Sequence, residues 1–166
     1  MKRMAALFLA AWISAAAAAG AGAYSGEPDG FGDMRWGDSV RKVSERYAAQ
    51  YLEDTVGGGA LYAIHFTDFT EQMGIRGPMV VTGAFEKGKL VQINVPLPLA
   101  TAEETAAAYD AYTARLTSLC GAPAEKDDDS SLWVGKKTNL YVQKTEEGVL
   151  VCFMDARHMA RKLPKN

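Results

Sequence analysis

Histidine and cysteine are scarce in this chain, and that removes most metal and nucleophile chemistry at the outset. There are two of each in 166 residues. His65 lies inside an alternating run and His158 in a basic C-terminal segment. Neither has a neighbouring cysteine or a histidine four residues away on a helix, the spacing that zinc sites use. No G-x-S-x-G surrounds Ser39, Ser44, Ser118, Ser130 or Ser131, so the nucleophile elbow is absent. No lysine follows Gly57-Gly58-Gly59 at the distance a phosphate loop requires. The acidic run Glu125-Lys126-Asp127-Asp128-Asp129 lacks the glycine and distal glutamate of an EF-hand and reads as a solvated loop. We therefore expect no catalytic residue, no metal ligand and no cofactor.

Surplus positive charge is missing too. Without Lys2 and Arg3 the eighteen basic residues fall to sixteen against twenty acidic ones, a formal charge of −4. A nucleic-acid binder needs a basic face to neutralise phosphates, so that class of partner is not expected.

Long apolar runs are confined to the N-terminus. Lys2 and Arg3 precede a short apolar stretch from Ala5 to Ile13, and small residues end in Ala21-Gly22-Ala23. Charge, short apolar core and A-x-A are the parts of a secretory signal peptide. A spanning helix would need about 20 strongly apolar residues. The expectation is a signal peptide over residues 1–23, cleavage after Ala23, and a periplasmic or secreted protein with no transmembrane segment. No cysteine stands beside the cleavage site to carry a lipid.

A flexible stub is expected over 24–30 and a single domain over 31–156. Ser39 opens a helix in which Val40, Val43, Tyr47 and Tyr51 form an apolar stripe that must stop before Gly57-Gly58-Gly59. Three strands follow: Leu61 to Phe66, Met79 to Glu86, and Lys89 to Val95, the last two joined through Lys87-Gly88. Pro96 and Pro98 should end the third. Thr101-Ala102-Glu103-Glu104 is a capping box, and Tyr109, Tyr112, Leu116, Leu119 and Cys120 stripe the helix it starts. Gly121 and Pro123 close that helix. A short strand around Trp133 and a hairpin, Thr138 to Thr145 with Val149 to Met154, complete the second half.

The two halves read alike. Glu86-Lys87-Gly88-Lys89-Leu90-Val91 and Glu146-Glu147-Gly148-Val149-Leu150-Val151 lie sixty positions apart. The expected fold is α+β: two helices on one face of an antiparallel sheet, as a duplicated α-β-β-β unit over 31–96 and 101–156.

Phe31-Gly32 with Trp36-Gly37-Asp38-Ser39, then Cys120-Gly121-Ala122-Pro123, Trp133 and a final hairpin resemble a group of small exported bacterial proteins. Their pattern runs WG-x-S, helix, YG-x-P, W, hairpin. Here Cys120 replaces the usual aromatic. The arrangement is similar, more loosely, to the small lipoprotein of the outer-membrane barrel-assembly machinery and to the β-lactamase inhibitor protein. That resemblance implies helices set against a sheet and action by binding other proteins. The chain lacks the lipidation cysteine of the assembly lipoproteins, and shared fold alone transfers no function.

Few binding candidates remain. Cys120 and Cys152 are either a disulfide, as export would permit, or buried free thiols. Trp36 and Trp133 are core plugs in the favoured reading, or partner-binding hot spots. Arg157, Arg161 and Lys162 belong to a basic tail over 157–166 that could meet an acidic surface. The leading expectation is a non-enzymatic module that binds an envelope or secreted protein, as adaptor or inhibitor. A small-ligand or lipid-binding protein is the alternative, with a cavity lined by Tyr47, Tyr62, Phe85 and Tyr112. An envelope hydrolase ranks third.

Overall fold

The computed structural model describes residues 24, 26–67 and 71–162; the expected signal peptide and the last four residues of the expected tail lie outside them. In chain order the elements are β1 (Gly30–Phe31), β2 (Met34–Arg35), α1 (Val40–Ser44), β3 (Ala48–Thr55), β4 (Gly59–Phe66), β5 (Met79–Glu86) and β6 (Lys89–Pro98). Then come α2 (Ala102–Cys120), β7 (Glu125–Lys126), β8 (Ser130–Trp133), β9 (Thr138–Thr145), β10 (Gly148–Asp155) and α3 (Ala156–Lys162). The fold is α+β. Its body is one antiparallel sheet in the order β3-β4-β5-β6-β10-β9-β8-β7, so two sequential meanders meet along β6 and β10.

Local chemistry accounts for most of these elements. The β5–β6 hairpin turns on Lys87 and Gly88, both at positive φ (50° and 71°), the backbone a two-residue hairpin needs. On α2, Thr101 accepts from the Glu104 amide while the Glu104 carboxylate accepts from the amide of Thr101. That reciprocal cap is worth ~1 kcal/mol. Buried Thr105, Tyr109, Tyr112, Thr113 and Leu116 recur at three and four and face the sheet, whereas Leu119 is exposed. Tyr109, Tyr112 and Leu116 join one cluster with Val43 of α1 and with Ile64, Val81, Phe85, Ile93, Val95, Val151 and Phe153 of the strands. Phe31 enters from β1 and meets the Phe66 and Phe153 rings edge-on at 5.5 and 4.9 Å.

Four expectations are corrected. The first helix stops at Ser44, and Ala48–Thr55 is a strand. Tyr47 and Tyr51 are four apart, and four is a multiple of the strand period as well as nearly one helical turn. With Ala49 between them they continue as a strand face: Tyr47 and Ala49 pack on the core, and Tyr51 meets Tyr62. Each helix is therefore followed by four strands rather than three.

Pro96 and Pro98 do not end β6, which runs on to Pro98. Its pairing with β5 reaches only Asn94, so beyond that point one side of β6 demands no donor.

The stub over 24–30 is docked. Tyr24 is buried and its hydroxyl donates to the Thr138 carbonyl at 2.9 Å. The Glu27 carboxylate accepts the amides of Lys137 and Thr138 at 2.5 and 2.8 Å. Thr138 Oγ1 donates to the Pro28 carbonyl at 2.6 Å and accepts from the Trp36 indole at 2.7 Å. One fully buried threonine thus collects four bonds from a segment more than a hundred residues away.

The basic tail begins as a helix. α3 turns back over the face opposite α2, where His158 reaches Glu86, in phase with Thr82 and Ala84 on β5, at 3.0 Å.

Candidate functional site

The residues singled out in the sequence scatter rather than converge. Trp36 is 8% exposed, and its indole proton is spent on Thr138. Trp133 is 2% exposed and donates to the Gly121 carbonyl at 2.9 Å. Both sit inside the core, so neither offers the surface of a hot spot. Arg157 closes on Asp29 and Asp155 at 3.1 and 3.2 Å, pinning α3 to the N-terminal segment. Arg161 is exposed one turn later, and Lys162 is the last residue of α3.

The candidate disulfide is absent: Cys120 and Cys152 are both free thiols. Strand phase explains it. Val149, Val151 and Phe153 belong to the core cluster beneath α2, so Cys152, out of step with them, projects from the other face. Cys120 packs against that cluster at the end of α2, and the sheet lies between the two sulfurs. Burial pushes the Cys120 thiol up to about 11, helped by the nearby Glu27 carboxylate, and Cys152 up to about 12. Thiols held protonated in this way are poor nucleophiles.

Three of the four residues expected to line a cavity are packed against rings instead, and the fourth is tied to backbone. Tyr62 meets Phe85 at 5.3 Å, Tyr47 meets Phe66 at 4.4 Å, and buried Tyr112 donates to the Met73 carbonyl at 2.8 Å. An open depression of about 410 Å³ lies elsewhere, at the ends of β4 and β5, lined by His65, Phe66, Thr67, Pro78, Met79 and Val80. Among the described residues no three carboxylate, histidine or cysteine groups stand close enough to share a metal ion. No helix among them is long and apolar enough to cross a membrane.

Two carboxylates are held below their usual range, each by structural bonds. Partial burial pulls Asp38 up, but the Lys42 ammonium at 2.6 Å and the Arg35 amide at 2.9 Å outweigh it. Asp127 accepts from the amides of Asp129 and Ser130 and from the Ser130 hydroxyl, closing the β7–β8 turn.

What does converge is the face of the sheet opposite α2. Register places Gln50, Ala63, Thr82, Asn94, Cys152, Tyr141, Leu132 and Glu125 in one continuous row across all eight strands. A parallel row holds Leu61, Ala84, Gln92, Met154 and Asn139. Gln143 and Leu150 adjoin on the other side. From β4 to β9 these rows contain no charged side chain. Thr82, Ala84, Gln92, Asn94, Asn139, Tyr141, Gln143 and Leu150 are all partly exposed. The Gln92 amide donates to Asn94 at 2.6 Å, keeping both side chains in the plane of the face. Sequence reasoning missed this surface because its members are ordinary neutral residues that only strand register brings together.

Comparison with protein-family models, with curated proteins and with solved structures finds no match.

Proposed function

We propose that this chain is an exported, non-enzymatic protein-binding module, an adaptor or inhibitor of another envelope or secreted protein, which docks through the outer face of its sheet. The observation that carries the reading is the run of neutral, partly exposed side chains from β4 to β9. Interface centres are depleted of charge, and tyrosine and amide side chains supply contact area and hydrogen bonds there. An ordinary solvated sheet face would instead carry lysine and glutamate on alternate positions. The helix-plus-meander order, repeated on either side of the β6–β10 seam, supports a duplicated origin for the domain. The placement outside the cytoplasm rests on residues 1–23.

Photo-crosslinking residues placed singly at Thr82, Asn94 and Tyr141 test the docking face, with exposed Ala114 on α2 as the control. Capture of one protein partner in the native envelope from the first three sites, and not from Ala114, is the expected result. Equal capture from all four sites, or none from any, would remove this face as the docking surface. In the second case the open depression beside His65 becomes the place to look for a small ligand.

A further inference from the structure

The sheet ends in two unlike edges. β7 is two residues long and charged at both, Glu125 and Lys126, which blunts it against further pairing. β3 is eight residues long and contains neither proline nor lysine. It pairs with β4 on one side only. Alternate residues along it therefore turn backbone N–H and C=O groups outward, where no strand of the described residues meets them.

Exposed apolar surface gathers at this same edge. Of the five large hydrophobic side chains exposed among the described residues, Tyr51 and Leu52 lie on β3 and Val56 just past it. Val80 stands apart, two strands in on β5, where it lines the depression beside His65. Leu119 is farther off still, at the end of α2. Scattered exposed hydrophobics are ordinary, but three within six residues at one sheet edge mark a contact site. The charge at this edge is of one sign. Glu53 and Asp54 form no salt bridge among the described residues, and Asp54 instead meets the Tyr51 hydroxyl.

We propose that β3 is the docking edge for a short extended segment of another protein. The segment adds antiparallel as a ninth strand, lays apolar side chains on Tyr51 and Leu52, and sets lysine or arginine opposite Glu53 and Asp54. The bulge at Leu52, where the register shifts between Tyr51 and Glu53, confines a regular ladder to the start of the strand and so selects a short partner. A second copy of this chain fits less well. Antiparallel pairing centred on Tyr51 and Leu52 would put Glu53 and Asp54 against Gln50 and Ala49, with no cation supplied. This edge is separate from the outer face and does not rest on it; together the two surfaces would give an adaptor its two sides.

The test uses two synthetic peptides of alternating threonine and valine, one led by two lysines and the other by two glutamates. Amide hydrogen exchange and chemical shifts are followed on the isotopically labelled protein. The lysine peptide is expected to protect alternate amides across residues 48–52 and to bind about tenfold more tightly than the glutamate peptide. The double variant Glu53→Lys/Asp54→Lys should reverse the preference, with an unchanged circular dichroism spectrum showing that it folds. Equal affinities, or protection anywhere but β3, would overturn the proposal. So would no protection at millimolar peptide, or a protein already dimeric through β3 by sedimentation. Failure here leaves the crosslinking result at Thr82, Asn94 and Tyr141 untouched.

Discussion

The indole of Trp36 and the hydroxyl of Thr138 meet at 2.7 Å, fully buried, across 102 positions of sequence. The buried indole N–H donates to this hydroxyl alone. The same hydroxyl donates onward to the Pro28 carbonyl, so it serves as acceptor and donor at once. Thr138→Val keeps the shape and removes both bonds, leaving a buried N–H and a carbonyl unmatched. We expect a loss of about 2–3 kcal/mol in urea denaturation, with Thr138→Ser recovering most of it. A loss below about 0.5 kcal/mol would mean that the N-terminal segment is not clamped there.

Thiol chemistry separates the two cysteines without reference to function. Alkylation of the denatured protein without reductant should add two labels, since the sulfurs lie on opposite faces of the sheet. In the native protein, half-buried Cys120 should react slowly at neutral pH. Its rate should climb as pH approaches about 11, where the raised thiol finally ionises. Cys152 should stay silent until the protein unfolds.

Asp38 predicts an acid-side effect. Its folded carboxyl sits below the ordinary value of 3.8, so the stability it contributes is complete above that value and is lost as pH falls through the folded pKa. Asp38→Asn should cost about 1–2 kcal/mol at pH 7 through the weakened bonds to Lys42 and the Arg35 amide. The gap between variant and parent should close as pH drops below 3.8. A gap constant with pH would assign the effect to shape rather than charge.

Gly148 starts β10 at φ 134°, where a Cβ would strike the Leu97 carbonyl at the close approach to β6. Gly148→Ala should destabilise by about 1–3 kcal/mol, read from guanidinium denaturation. Gly88→Ala at the β5–β6 tip is the comparison: φ is positive there too, but nothing lies within 4 Å. The difference between the two isolates the steric part.

Hairpins and caps were legible because each is written in a few adjacent residues: Lys87-Gly88, Thr101 with Glu104, Gly121. Position Cys152 shows where local reading ends. Placing it on a strand was straightforward, but its face depends on the phase of Val149, Val151 and Phe153, and one step of error moves a side chain through the sheet. Tyr47 and Tyr51 misled for a related reason, their spacing satisfying two periods at once. The segment around Glu27-Pro28-Asp29-Gly30 has the composition of a loop. What orders it is a set of bonds to Thr138 that no nearby residue announces. The outer face was invisible for want of register, since Thr82, Asn94 and Tyr141 become neighbours only after β5, β6, β10 and β9 pair.

The clamp on Thr138 also sets an order in time. A chain made from its N-terminus presents Tyr24, Glu27 and Trp36 early and Thr138 only after more than a hundred further residues. The β3–β6 meander can close on itself while the rest is still being made, because each of its strands pairs with the next in sequence. The leading segment must wait, its aromatic side chains unburied, for a partner near the other end of the chain. Locking of the N-terminus therefore reports completion of the second meander, and a chain stalled before β9 would leave Tyr24 and Trp36 uncovered for proteases to find.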